Sequence, residues 1–245
     1  MGENINIWQY YFHPLSKYTI DDIRKGDDVK YVKKYRRTNP FTPSYTWDYQ
    51  SKPPKKNMFY PSKESRLFVN NIIKKHVVVR EYILKEVNDF FYQNMKGKVN
   101  LGVHIRPTTF THDEVKYKHY FRYIDRVIKE RAGNINLYLA TDNPITIDVF
   151  KKIYKDILLH IDIKRTFNTD VPDVNIDRYL TTSSESSSGV WGADDAKGAL
   201  IDCLLLSKCN HLVSGSSNLS TAATYFNPEL EHIFLYNGKR YCNDK

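Results

Sequence analysis

No stretch of about 18 consecutive apolar residues occurs in the sequence, so no membrane-spanning helix is expected. Met1–Tyr11 has no basic region leading into an apolar core. A secretory signal is therefore not expected there, and the expected location is cytoplasmic. Only three cysteines are present, Cys203, Cys209 and Cys242. An odd number at these spacings forms neither a disulfide framework nor paired zinc ligands, which fits a reducing compartment. Cys203 lies inside an apolar run and is expected to be a small core residue. Two phosphate-binding signatures are also missing, GxxxxGK(S/T) and GxGxxG after a strand. Their absence argues against a P-loop kinase or sulfotransferase and against a standard dinucleotide dehydrogenase. No compact Asp-x-Asp element stands at a strand end. Asp194 and Asp195 are adjacent and are expected to cap the helix that follows them. The sequence has no internal repeat.

What is present is a chain of 245 residues with 41 % hydrophobic and 14 % aromatic residues, too apolar for a disordered polymer. The net charge of +9 gives a surface that attracts nucleic acid, anionic membrane or phosphorylated small molecules. The densest basic run is Lys30–Arg37, KYVKKYRR, which reads as a solvated helix face or loop. Read with its interleaved tyrosines, it is the one feature that suggests a nucleic-acid-binding module. No nucleic-acid motif accompanies it, and no nucleic-acid partner is expected.

Residues 1 to about 62 are rich in Tyr, Pro, Lys and Asn, with prolines at 14, 40, 43, 53, 54 and 61. Such spacing favours irregular structure with short helices. Tyr45, Trp47, Tyr49 and Tyr60 are candidates for a sugar-stacking surface or for core pieces of a small irregular domain. Regular patterning begins near Glu64. Helices are expected over 62–75 and 79–95, the second with Leu84, Val87, Phe90, Phe91 and Met95 on one face. Lys96-Gly97-Lys98 ends that pattern. Strands are expected at 99–105, 135–140, 157–163, 211–214 and 233–236. Helices are expected at 117–132, 145–154, 194–208 and from about 219, with 181–189 a polar loop. Strand–helix alternation from Val99 onward predicts an α/β fold, with a parallel sheet covered by helices. Ligands of such sheets sit outside the carboxyl ends of the strands. The chemistry is therefore expected at His104–Arg106, Thr141–Asn143 and Ser214–Asn218.

His104 and Arg106 share one face of a strand end, because side chains alternate along a strand. An arginine there can grip phosphate with two parallel hydrogen bonds, and an imidazole can bond a base or a phosphate. A salt-bridged strand-end arginine is the competing reading. Ser214-Gly215-Ser216-Ser217-Asn218 leads into a helix, whose first N–H groups and dipole favour an anion. Serine and asparagine there are also ordinary N-caps.

Three segments occur in order: VHIR at the end of the first strand, LYLATDNP, and DAKGALIDCLLLSKCNHLVSGSSNLSTAA. Together they resemble the α-1,6-fucosyltransferases and, more distantly, the α-1,2- and protein O-fucosyltransferases. The resemblance covers about residues 70 to 226. It implies a GT-B-like fold, with a Rossmann-type donor domain at 98–245 and a reduced N-terminal acceptor-side lobe at 1–97. It implies a nucleotide-sugar donor, an oligosaccharide or glycoprotein glycan acceptor, and no cofactor or metal. His104 and Asp202 match positions on the donor's nucleobase and ribose region, and Arg106 matches the arginine on its diphosphate. Asp142 belongs to the turn beside the donor. Ser216, Ser217 and Asn218 match the loop that holds the phosphates. Glu114 lies ten residues after His104, where the core-fucosylating enzymes keep their catalytic glutamate, and its neighbour Asp113 is the alternative base. Glu114 also reads as an ordinary acid near a helix N-terminus.

The sequence departs from the pattern after Arg106. Pro107 replaces a second arginine, Thr109 and Phe110 replace an acid and a lysine, and Asn143 replaces the second acid of the turn. These departures leave the donor sugar open between GDP-fucose and another nucleotide sugar such as UDP-xylose. A catalytically inactive, lectin-like relative is the remaining alternative.

Overall fold

The computed structural model describes residues 7–15, 60–106, 117–131, 134–162, 193–236 and 239–241. Glu114, Asp113, Tyr45, Trp47, Tyr49, Lys30–Arg37, the 107–110 departures and the 181–189 loop lie outside the described residues, as do the side chains of Asp194 and Asp195.

The elements follow in chain order. Helix α1 is Ile7–Tyr11, α2 is Lys63–His76 and α3 is Glu81–Phe90, which runs into a π-helical turn, Phe91–Met95. Then come β1 (Val99–Ile105), α4 (Tyr117–Glu130), β2 (Ile135–Thr141), α5 (Pro144–Tyr154) and β3 (Leu158–Leu159). The rest are α6 (Ala193–Ser207), β4 (His211–Ser214), α7 (Asn218–Phe226), β5 (Glu231–Tyr236) and β6 (Lys239–Tyr241). The six strands form one sheet in the order β3-β2-β1-β4-β5-β6. All pairings are parallel except β5 with β6. The α/β expectation holds. The order is that of doubly wound nucleotide-binding sheets, in which the chain leaves β1 in one direction and returns to start β4 on its other side.

Both faces of the sheet are covered, so its central strands are apolar throughout rather than alternating. β2 is buried at every position and β1 at every position after Val99. One face presents Leu101, Val103, Ile105, Leu137, Leu139, Val213, Ile233 and Leu235 to α4 and α5. The other presents Tyr138, Ala140 and Leu212 to Ile83, Val87 and Met95 and to the apolar side of α6. Elements before and after residue 97 thus share one hydrophobic cluster. Gly97, at φ +80, makes the turn between them, in a backbone region that favours glycine.

Several sequence expectations shift at their edges. The helix expected from Val79 starts at Glu81, because Val79 makes an antiparallel bridge with Phe12. Its buried face is Ile83, Val87 and Met95, while Leu84 is 38 % exposed. Ile83 and Val87 are four residues apart and lie on one stripe, and Leu84 is turned about 100° away from Ile83. The third strand shrinks to two residues, and β6 was not expected at all. Cys203 is a buried core residue as expected, and burial pushes its thiol up to about 12. No helix among the described residues is long and apolar enough to cross a membrane.

Candidate functional site

The crevice of a doubly wound sheet opens where β1 and β4 part company at their carboxyl ends. The parallel register sets His104 against Ser214 on β4 and against Ala140 on β2. Ile105 stands against Thr141, so the ends of β1, β2 and β4 lie along one edge. Arg106, Asp142 and the Gly215–Ser217 loop are the next residues out. Three separated sequence segments therefore meet at one edge of the sheet.

His104 is 5 % exposed. Burial first, and the charge of Arg106 second, push its imidazole down to about 3. The ring is thus neutral near pH 7 and can act as one donor and one acceptor. Its Nδ1 is buried without a hydrogen-bond partner. Arg106 is exposed just past the last residue of β1. An exposed guanidinium at the switch point offers a flat, charged fork to an anion.

The serine loop is built as a helix entrance. Ser217 is the N-cap of α7, and its Oγ accepts from Leu219 N at 3.2 Å. That leaves the Ser217 hydroxyl hydrogen as a donor, and the first N–H groups of α7 lie beside it. Ser216 and Ser217 are buried, whereas Asn218 is exposed. Behind the loop, Ser220 and Thr221 hydroxyls both donate to the Ser217 carbonyl, at 3.0 and 2.9 Å. These bonds hold the loop against the first turn of the helix.

Asp202 sits on α6, 4 % exposed, and its Oδ1 accepts the Tyr138 hydroxyl at 2.5 Å. Tyr138 faces the sheet side that carries His104, because it is the register partner of Gly102. Asp142 is half-buried at the end of β2. Its neighbour Asn143 caps α5, accepting from Ile145 N at 2.8 Å, with Pro144 in the first turn. Asparagine and aspartate are nearly equal in that role, so this departure leaves the cap intact.

Sequence reasoning did not single out two residues behind the crevice. His232 on β5 is 2 % exposed, and its Nε2 lies 2.8 Å from Ser214 Oγ. Arg66 on α2 is 1 % exposed; its Nε donates to Pro61 O and its Nη1 to Leu230 O. Tyr60 lies against both, 5.4 Å from the His232 ring and 5.7 Å from the Arg66 guanidinium carbon. The available signal was slight: a histidine inside the apolar run HIFL. Tyr60, a candidate for a sugar-stacking surface or for a core piece, stacks on Phe234 at 5.8 Å. Among the described residues no group of three or more His, Cys, Asp or Glu side chains converges as a metal site.

No family model matches this chain, and no curated protein matches it. Among solved structures it is similar to fucosyltransferase NodZ from Bradyrhizobium, with 15 % identity and a TM-score of 0.47 over 71 % of this chain and 50 % of that one. It is also similar to NodZ alpha-1,6-fucosyltransferase soaked with GDP-fucose, at 16 % identity and a TM-score of 0.48 over 80 % and 61 %. A third similar structure is a mutant of Arabidopsis thaliana FUT1 in complex with GDP, at 13 % and 0.44 over 74 % and 38 %. The chain spans between about two fifths and three fifths of the length of these structures.

Proposed function

We propose that this chain is an inverting glycosyltransferase that takes a nucleotide-sugar donor, GDP-fucose or a relative such as UDP-xylose, and transfers the sugar to a hydroxyl of a glycan acceptor. The observation that carries this reading is the meeting of His104, Arg106 and the Ser214–Asn218 loop at the β1/β4 switch point. A neutral imidazole, an unburied guanidinium and a capped helix start are the groups that a nucleoside diphosphate engages.

In this reading the acceptor oxygen attacks the anomeric carbon on the face opposite the diphosphate. The bond from that carbon to the phosphate oxygen breaks, and the nucleoside diphosphate leaves with the electron pair. Glu114, or in its place Asp113, takes the acceptor proton. Arg106, the hydroxyls of Ser216 and Ser217, Asn218 and the N–H groups of α7 receive the growing negative charge. His104, Asp142 and Asp202 hold the base and sugar side. This charge stabilisation needs no metal. The N-terminal part, 1–97, lies on the acceptor side.

The test is a thermal-shift screen with GDP, UDP, GDP-fucose and UDP-xylose, with and without divalent cation, followed by a donor-hydrolysis assay. A ligand that binds only the folded state raises its unfolding temperature with the logarithm of its concentration over Kd. A shift with guanine nucleotides supports fucosyl transfer, and one confined to uracil nucleotides supports a changed donor. No shift with any of the four overturns the reading.

A further inference from the structure

A surface helix ordinarily buries an apolar stripe and shows its polar side to water. Helix α2 largely reverses this. Its two buried residues are Arg66 and Asn70, with Val69 and Ile73 only half-buried beside them. Arg66 donates to Pro61 O and Leu230 O at 3.2 and 3.0 Å. Asn70 Nδ2 donates to Tyr225 O and Phe226 O at 2.7 and 3.1 Å. Hydrogen bonds thus hold α2 against the last turn of α7. On the outer side Leu67 and Ile72 are exposed, and Phe68 is 68 % exposed. Large apolar side chains grouped on one outward face mark an interaction surface.

The order of residues on that face names its occupant. A helix turns by about 100° per residue, so Glu64, Phe68, Asn71 and Lys75 fall within an arc of about 60°, opposite Arg66. All four are exposed, and Leu67 and Ile72 flank them. The seam is self-complementary. One point, between residues 69 and 70, is the centre of three pairs: Glu64 with Lys75, Leu67 with Ile72, and Phe68 with Asn71. A second copy of α2, turned end for end about that point, sets each acid against a lysine and each flanking aliphatic against another. It also sets the helix dipoles antiparallel, the favourable arrangement. Lys63, beside Glu64, is already paired within its own chain, with Glu229 at 2.7 Å.

We propose that the outer face of α2 is a self-association surface on which two copies of this chain pair antiparallel about a two-fold axis. Glu64 of each copy meets Lys75 of the other, and Leu67, Phe68 and Ile72 close around the axis. A two-fold contact uses the same patch on both subunits, as this seam requires. Asn70 holds α2 at the opposite end of α7 from the Ser217 cap, so the pairing does not use the crevice. One helix face is smaller than a standard interface, so the association is weak, with a Kd on the order of 10–100 µM.

Sedimentation velocity of the unaltered chain from about 1 to 200 µM in low salt reads the pairing directly. The expected result is a shift from monomer to dimer across that range, weakened by added salt. Phe68→Glu should stay monomeric throughout. Glu64→Lys and Lys75→Glu each place two like-charge contacts in the pair, and each should weaken association about ten-fold or more. An equal mixture of these two variants restores both opposite-charge contacts in a mixed pair. It should form dimers at concentrations where each variant alone is monomeric. Cooperative unfolding of every variant is checked first. An unaltered chain that remains monomeric at the highest concentration overturns the proposal, and so does a mixture that associates no better than its components. A monomeric chain that instead co-sediments with phosphatidylserine vesicles through Phe68 assigns the face to a lipid surface, and the pairing falls.

Discussion

His104 and Ser214 are register partners on adjacent parallel strands, and the serine hydroxyl is engaged from its other side by His232 at 2.8 Å. One buried imidazole, His232, thus bonds the Ser214 hydroxyl, and a second, His104, occupies the register position beside that serine where the sheet changes direction. Nothing in an apolar core requires such a row. A sheet closed on both faces normally fills these positions with Val, Ile or Leu. The polar row sits at the carboxyl edge, where a doubly wound sheet meets its ligand, and it gives the fold a measurable sensitivity to acid.

That sensitivity follows from the imidazoles themselves. Both are pushed from 6.5 to about 3 in the folded chain. The unfolded chain therefore binds more protons than the folded one between about pH 6.5 and pH 3. Stability is full above pH 6.5 and falls as the pH drops through this window. At pH 5 each ring should account for a loss of roughly 2 kcal/mol. The shifted carboxylates Glu64, Glu81 and Glu130 are lowered from 4.5 and titrate below pH 5. Urea midpoints at pH 7 and pH 5 check this. His232→Gln should remove about half of the difference, and a pH-independent midpoint would contradict the burial of both rings.

Tyr138 offers a second test. Its hydroxyl donates to Asp202 Oδ1 at 2.5 Å, inside the cluster between the sheet and α6. Tyr138→Phe deletes one donor to a buried carboxylate and changes little volume. The expected loss is about 1–3 kcal/mol, because hydrogen bonds to charged groups are worth more than neutral ones. If Asp202 holds the ribose of the donor, nucleotide affinity should fall as well. Thermal unfolding and isothermal titration calorimetry on the same preparation separate the two effects.

Gly102 is tested by packing. A Cβ there would lie 2.9 Å from Leu206 Cδ2, 3.2 Å from Cys209 Sγ and 3.4 Å from Cys209 Cβ. Leu206 is fully buried and has little room to move. Gly102→Ala should therefore destabilise the fold by about 1–3 kcal/mol through overpacking. Adding Leu206→Val should recover part of that loss. Denaturation midpoints of the single and double variants decide it, and an unchanged midpoint in Gly102→Ala would mean that α6 shifts freely over the sheet.

The sheet was legible in the sequence because its strands are local patterns. VNLGVHI and HLVS are short apolar runs bounded by turn residues, and β1 and β4 begin and end where those runs do. The helix starts at Asn143-Pro144 and Ser217-Asn218 were legible for the same reason, since N-caps are local signals. The missed features are long-range. Val79 leaves its helix because Phe12, far away in sequence, bridges to it. β6 is a three-residue KRY segment whose pairing partner is β5, and no periodicity of its own announces it. The Arg66 contact with Leu230 spans 164 residues, and His232 meets Ser214 only because β4 and β5 are neighbours. The candidate site followed the same rule: the segments that meet at the carboxyl edge adjoin strand ends and were legible, and the polar groups packed behind them were not.

Arg106 carries the clearest prediction about binding. It is exposed, it follows the last residue of β1, and it is close enough to His104 to help keep that ring neutral. A guanidinium that bonds a diphosphate with both prongs contributes about 1.5–3 kcal/mol, or roughly a ten- to hundred-fold change in Kd. Arg106→Ala should weaken nucleoside diphosphate binding by that factor and reduce its dependence on salt. Arg106→Lys keeps the charge but not the fork, so its loss should be smaller yet clear. Neither variant removes a core contact, so the unfolding midpoint at pH 7 should stay close to that of the unaltered chain. The His104 imidazole provides an internal control. With the neighbouring cation gone in Arg106→Ala, its pKa should rise from about 3, which narrows the acid-sensitive window from below. Calorimetric titrations at two salt concentrations and urea midpoints at pH 7 and pH 5 read both effects. Full affinity in Arg106→Ala would place the phosphates elsewhere, on the α7 entrance alone.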